Sequence, residues 1–319
     1  MQLSKNTTST IQHIKNMNIL SLKNVVKTYQ DHIAVNDISF DMPQGCIFGL
    51  LGPNGAGKSS LIRIITTITQ ADSGSVFLNG EVLNSSHPSQ IGYMPEERGL
   101  YKKMEVGAHL MYLAQLKGLS KKDAKTAIDY WFDKFGIQDW WSKKVEELSK
   151  GMQQKIQFIS TVIHKPKLLI LDEPFSGLDP INANLIKDEI YEMKKQGISI
   201  IFSTHRMEQV EEICEHIVLI NQGKNVLQGT VKDIKEQYKE NKFEFKYEGT
   251  LPDDFNDHGN VVKESPGSVI IQLQEDESSN DFLNYLLRND VRIQSFNEIL
   301  PTLNEIFIRK VDAVTLAQA

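Results

Sequence analysis

The chain has 319 residues, 35 basic and 41 acidic side chains, and a formal net charge of −6. Hydrophobic residues make up 40% of it, an ordinary globular composition, and the acidic balance argues against a protein that holds nucleic acid by bulk charge. Length predicts about two domains at roughly 150 residues each, and no apolar run approaches the ~18 residues that span a bilayer.

Met1 to Asn16 reads as a polar N-terminal extension without the apolar core of a secretory signal, and Met17 would be a sensible start. Asn18 to Tyr29 is predicted to be a strand. After a turn at Gln30–Asp31 a second strand follows, broken at Asn36–Asp37 by a bulge. Asn79–Gly80 lies between Val76–Leu78 and Glu81–Leu83, a hairpin signal. Four short runs are continuously apolar: Ile47 to Leu51, Leu168 to Leu171, Ile198 to Phe202 and Ile217 to Ile220. Strands of a helix-covered parallel sheet look like this. The stretch from Val106 to Thr161 is mostly helical in pattern and interrupts the strands, as a separate lobe would. Ile181, Leu185, Ile186, Ile190 and Met193 form one helical face. After Gly229, strands predicted at Lys242–Tyr247, Ser268–Leu273 and Val291–Phe296 alternate with helices at Asn280–Leu287 and Leu300–Lys310. That is a small α+β domain. Cys46 and Cys214 match no metal or redox spacing, so a reduced, cytoplasmic chain is expected.

Gly52-Pro53-Asn54-Gly55-Ala56-Gly57-Lys58-Ser59 matches GxxxxGK[ST]. Glycines let such a loop turn its amides inward around phosphates, and the helix predicted from Lys58 to about Thr69 points its positive end at the anion. Lys58 is expected to reach the β- and γ-phosphates and Ser59 to bind Mg²⁺. The apolar strand Leu168 to Leu171 ends in Asp172–Glu173. Neighbours on a strand point opposite ways, so the two carboxylates divide the labour. Asp172 is expected to hold Mg²⁺ through water, and Glu173 to polarise the attacking water or accept its proton.

Further motifs fall in one order along the chain. Leu148-Ser149-Lys150-Gly151-Met152-Gln153-Gln154 precedes the carboxylates, Gly177-Leu178-Asp179 follows them, and Ser203-Thr204-His205 follows the next strand. With these, residues 17–229 resemble the ATP-binding subunits of ABC transporters. The resemblance implies an α/β fold, a P-loop NTPase of ABC type, with a mixed sheet, a helical subdomain at about 100–160, and a C-terminal accessory α+β domain over 230–319. It implies that Tyr29 stacks on adenine, that Ser60 joins the phosphate loop in binding, and that His205 bonds the γ-phosphate and supports the water near Glu173. It also implies that Ser149, Gly151 and Asp179 act across a dimer interface, so that two ATP molecules are sandwiched head to tail. Glu96 stands where the family has glutamine, and a carboxylate there can approach Mg²⁺ with a full charge. The site expected to catalyse is Glu173, His205 and Lys58.

The branch resembled is the bacterial sodium-extrusion or drug-export type, which pairs with a separately encoded transmembrane permease. The chain is then expected on the inner face of the cell membrane, as a homodimer or heterodimer of ATP-binding subunits, with no nucleic acid partner and with export as the direction. The helical lobe and the Glu96 loop should form the groove for a cytoplasmic helix of the partner. The extra domain is read as a dimer contact, with regulation or passive packing as alternatives. Two other readings stand beside this one: a soluble ABC-type ATPase acting on ribosomes or DNA, and a slow-turnover nucleotide-binding regulator.

Overall fold

Strand formation follows the apolar pattern closely. The computed structural model describes residues 18–97 and 99–316, so the expected extension over Met1–Asn16 lies outside the described residues. In the first part of the chain the strands are β1 (Asn18–Tyr29), β2 (His32–Pro43), β3 (Ile47–Leu51), β4 (Ser73–Leu78), β5 (Glu81–Val82), β6 (Ile91–Met94), β7 (Leu168–Asp172), β8 (Ser199–Thr204), β9 (His216–Asn221) and β10 (Lys224–Thr230). The helices there are α1 (Lys58–Ile65), α2 (Val106–Leu116), α3 (Lys121–Phe135), α4 (Lys150–Val162), α5 (Pro180–Lys195) and α6 (Met207–Ile213). The chain divides after Thr230 into two compact units.

The first unit holds two sheets. A six-stranded sheet has the order β10-β9-β3-β8-β7-β6, and its members from β9 to β6 run parallel. Every residue of β3, β7 and β8 is buried, as expected of strands covered on both faces. The second sheet, β2-β1-β4-β5, is antiparallel. Its β1–β2 register shifts several times, and Asp37 there has a positive φ of 60°, which is the bulged irregularity at Asn36–Asp37. Helix α1 ends at Ile65, short of the predicted Thr69. Thr66 turns its hydroxyl back to the Ile62 carbonyl, and Thr67 takes a left-handed φ of 61°, which no helix continues through.

Helices α2, α3 and α4 build the predicted helical stretch around Trp131, Phe132, Phe135 and Phe158. Trp141 packs so tightly over Gly107 that a Cβ there would lie 2.4 Å from the indole. Ser149 caps α4, its Oγ accepting the Met152 amide at 3.3 Å.

The second unit contains α7 (Val231–Gln237), β11 (Lys242–Glu248), β12 (Gly259–Ser265), β13 (Ser268–Leu273), α8 (Ser279–Arg288), β14 (Arg292–Ile299) and α9 (Leu303–Leu316). Its antiparallel sheet has the order β12-β13-β11-β14. Phe243, Phe245, Val269, Ile271 and Leu273 form the core with Phe282 and Leu286 of α8. β12 is exposed along most of its length, and its polar sequence explains why the hydrophobic pattern does not show it.

Candidate functional site: a phosphate-loop pocket

Parallel register brings the functional residues together. Leu51 at the end of β3 pairs with Thr204 at the end of β8, Asp172 with Ser203, and Met94 with Leu171. The segments that leave these strand ends are the phosphate loop, Glu173, His205 and Pro95–Glu96. Sites in α/β folds form just outside such carboxyl ends.

The loop depends on glycine at two close approaches. Gly52 and Gly57 have φ of 149° and 109°, and a Cβ would lie 2.1 Å from the Ile220 carbonyl oxygen or 2.2 Å from that of Ala34. Gly57 sits directly before α1, whose first amides open toward the loop. The Lys58 ammonium donates to the Gly52 and Pro53 carbonyls at 2.7 and 3.1 Å. Burial holds it below its ordinary pKa, and Asp172, Glu173 and Glu96 oppose that shift. A buried cation held by neutral carbonyls gains by exchanging them for phosphate oxygens.

A cavity of about 260 Å³ is lined by Tyr29, His32, Ala34, residues 54–60, Glu96, Asp172 and Glu173. Tyr29 is 39% exposed at its rim, with Lys27 Nζ 5.5 Å from the ring centre. Glu173 has a φ of 49°, a strained backbone for a non-glycine residue at a site of chemistry. Its amide donates to the Ser203 carbonyl at 2.9 Å. Its Oε1 accepts the His205 amide at 2.9 Å and meets His205 Nδ1 at 2.6 Å, while Oε2 accepts the Thr204 hydroxyl at 3.1 Å. Glu173 is thus held at both oxygens by groups of this chain. Asp172 accepts the Ser203 hydroxyl at 2.8 Å. Burial pushes its pKa up, and the charges of Glu173 and Glu96 add to that, against the Ser203 bond and Lys58.

Ser59, Glu96 and Asp172 share this cavity. Oxygen donors of this kind suit a hard divalent cation, and a cation would relieve the repulsion from Glu173 and Glu96 that adds to burial in raising Asp172. Among the described residues no group of three or more His, Cys, Asp or Glu is placed to hold a metal by itself. The hydroxyl of Ser59 and the carboxylates of Glu96 and Asp172 fit a cation of that kind as a partial set of donors.

The remaining expected residues lie elsewhere. Gly52 and Pro53 act behind the cavity through their carbonyls on Lys58. His205 reaches the cavity through Glu173. Ser149, Gly151 and Asp179 are not among the lining residues. Asp179 caps α5, accepting the Ile181 and Asn182 amides at 3.1 and 3.0 Å. A Cβ on Gly151 would make only ordinary contacts, the nearest 3.6 Å away at Asn182. The sequence reading missed His32 and Ala34, which carry no motif. Pairing of Tyr29 with His32 across the turn was the available signal.

Fold and loop together define a P-loop nucleotide-binding ATPase. A family model for ABC transporters matches residues 35–176, and one described as the ATP-binding protein DrrA1-3-like C-terminal domain matches residues 229–311. The chain is 44% identical over 298 residues to the uncharacterized ABC transporter ATP-binding protein YhaQ of Bacillus subtilis, across 93% of this chain and 99% of that protein. It is 35% identical over 219 residues to the linearmycin resistance ATP-binding protein LnrL of the same organism, across 68% of this chain and 70% of that one. A solved structure of an ATP-binding subunit of an ABC transporter aligns with a TM-score of 0.65 at 30% identity, over 69% of this chain and 93% of that one. The chain belongs to the ABC transporter ATP-binding proteins, and it is an ATP hydrolase of that family. Among the described residues no helix is long and apolar enough to cross a membrane.

Proposed function

We propose that this chain is the motor of an exporter, hydrolysing two ATP molecules at sites shared between two ATP-binding subunits and driving a separate membrane-spanning permease. The observation that carries this reading is the division of the motifs. Lys58, Ser59, Glu96, Asp172 and Glu173 line one cavity, and Ser149, Gly151 and Asp179 do not, so the latter are left to complete the site of a second subunit.

In this reading Tyr29 stacks on the base, the loop amides of residues 54–60 wrap the phosphates, and Lys58 trades its carbonyl partners for β- and γ-phosphate oxygens. Glu173, oriented by His205 and Thr204, takes a proton from water as its oxygen bonds to the γ-phosphorus. The bond from that phosphorus to the bridging oxygen breaks, and ADP and phosphate leave. His205 also bonds the γ-phosphate. Mg²⁺, held by Ser59, Asp172 and Glu96, would supply neutralisation of the phosphate charge. Because Ser149 and Gly151 meet the γ-phosphate only when the subunits close, the nucleotide biases a two-state switch.

A groove of about 810 Å³ accompanies the site, lined by Ile68, Tyr93, Leu100, Leu113, Leu116 and Lys117 among others. Ile68 and Leu116 are 62% and 64% exposed, and apolar surface of this kind marks a partner site. We assign it to a cytoplasmic helix of the permease, which places the chain on the inner membrane face. Likeness to a linearmycin resistance protein supports export.

The test is turnover and capture. Lys58→Ala should abolish ATP hydrolysis, and Glu173→Gln should lower kcat by about 10²–10⁴-fold while keeping ATP bound. Tagged Glu173→Gln protein, purified from gently solubilised native membranes with ATP, should bring a multi-spanning protein in near-equal amount. A clean soluble dimer, or ribosomal or DNA-bound partners, would overturn the transporter reading and leave the hydrolysis standing.

A further inference from the structure

Helix α4 grips the backbone beside two carboxylates of the site. Gln154 and Gln157 are one helical turn apart, so they share a face, and each is 3% exposed. Gln154 Nε2 donates to the Pro174 carbonyl at 3.0 Å, and Gln157 Nε2 donates to the Pro95 carbonyl at 2.7 Å. Pro174 directly follows Glu173, and Pro95 directly precedes Glu96. The helix that holds both loops is capped at its start by Ser149. A rigid element therefore runs from the residue expected to meet a partner's nucleotide to the two loops that border this chain's own cavity.

Among the described residues Gln157 pairs only one end of its side-chain amide. Its Oε1 is buried and has no hydrogen-bond partner among the described residues. A buried acceptor left unpaired opposes folding, and each such group in a native protein calls for an explanation. An apolar side chain of similar length would fill the same space without it. What glutamine adds is the bond to Pro95. Among the described residues no hydrogen bond or ion pair holds the Glu96 side chain, so the backbone at Pro95 sets where that carboxylate stands.

We infer that Gln157 is a positioning residue for Glu96, tying the end of β6 to α4 so that a shift of α4 moves the carboxylate relative to the nucleotide. The assignment rests on the proposed role of Glu96 in the site. Gln154 does the same for the segment after Glu173, where the carboxylate is already fixed by His205 and Thr204. Gln157 is therefore the tether whose loss is least compensated.

Gln157→Met in the full-length chain tests this. Losing the unpaired acceptor offsets losing the bond to Pro95, so the thermal midpoint should stay close to that of the natural chain. Hydrogen exchange over residues 92–97 should quicken at least fivefold, with no change over the phosphate loop. The KM for ATP should stay within twofold while kcat falls at least fivefold. In a Glu96→Ala background the same change should alter kcat by less than twofold, since there is no longer a carboxylate to place. Unchanged exchange over 92–97 would overturn the inference. So would a kcat loss that multiplies onto that of Glu96→Ala, or faster exchange spread across the whole unit with a lowered midpoint. If Glu96→Ala alone left kcat untouched while exchange still responded to Gln157→Met, the tether would stand and the placing of Glu96 in the site would fall.

Discussion

Among the described residues, every buried polar or charged side chain, from Lys58 to Thr204, lies in the unit that ends at Thr230, whereas the unit from Val231 onward buries apolar and aromatic side chains alone. The contrast follows from the sheets. A parallel sheet covered on both faces has water at neither face, so its polar groups gather where strands end and backbone amides come free. Asp172, Glu173, Ser203 and Thr204 sit at such ends, and Lys58 opens the helix that follows β3. An antiparallel sheet with one wetted face needs no such arrangement. It fills its dry face with rings, as Phe243, Phe245 and Phe296 do here against Phe282 of α8, and shows its polar residues to solvent. The first unit gathers its buried polar groups, and the second buries apolar and aromatic side chains.

The largest effect that would sharpen this contrast lies in the second unit. Phe245 is fully buried and its ring centre lies 5.7–6.4 Å from those of Tyr247, Phe255, Phe282 and Phe296. Phe245→Ala should destabilise that unit by about 3–5 kcal/mol, read as early loss of hydrogen-exchange protection in β11, β13 and β14. The KM for ATP of the same variant should be unchanged. A raised KM would break the division of labour and give the second unit a part in nucleotide binding.

The same contrast decides what could be read from the sequence. The phosphate loop, Asp172 and Glu173 were legible because each motif is contiguous and follows an apolar strand. Ser149 and Asp179 were legible only through resemblance, and the single chain shows them as helix caps. The grip of Gln154 and Gln157 was not legible, because Pro174 and Pro95 lie 20 and 62 residues away in sequence and no period links them. Nor was the left-handed backbone of Glu173, since glutamate carries no propensity for it. In the second unit the buried strands β11 and β13 were visible by alternation, and the exposed edge β12 was not.

An intermediate effect tests the buried polar groups of the first unit that serve no site. His109 on α2 is fully buried, and neither ring nitrogen has a partner among the described residues. Burial pushes its pKa from 6.5 down to about 4. The folded chain therefore resists a proton that the unfolded chain accepts. Stability is full above about pH 6.5 and falls as pH drops toward 4, by about 2 kcal/mol from this group at pH 5. Thermal midpoints at pH 7 and pH 5 should diverge in the natural chain and converge in part in His109→Leu. Equal divergence in both would show that His109 is not what makes the unit acid-sensitive.

The smallest stability effect separates structure from chemistry within the first unit. Ser120 caps α3 and Ser149 caps α4 by the same bond, each Oγ accepting the amide three residues on, at 3.1 and 3.3 Å. Replacing either with alanine should lower stability by about 1 kcal/mol, a midpoint shift of roughly 2–4 °C. If capping were all that Ser149 does, the two variants would also turn over ATP alike. On the dimeric reading only Ser149 has a second duty, toward the γ-phosphate held by a partner subunit, and losing one such donor costs about 10²–10³ in kcat. Ser120→Ala should then keep its turnover and Ser149→Ala should lose it at equal stability. Matching turnover in the pair would reduce the signature serine to a cap and remove the main support for a site shared between subunits.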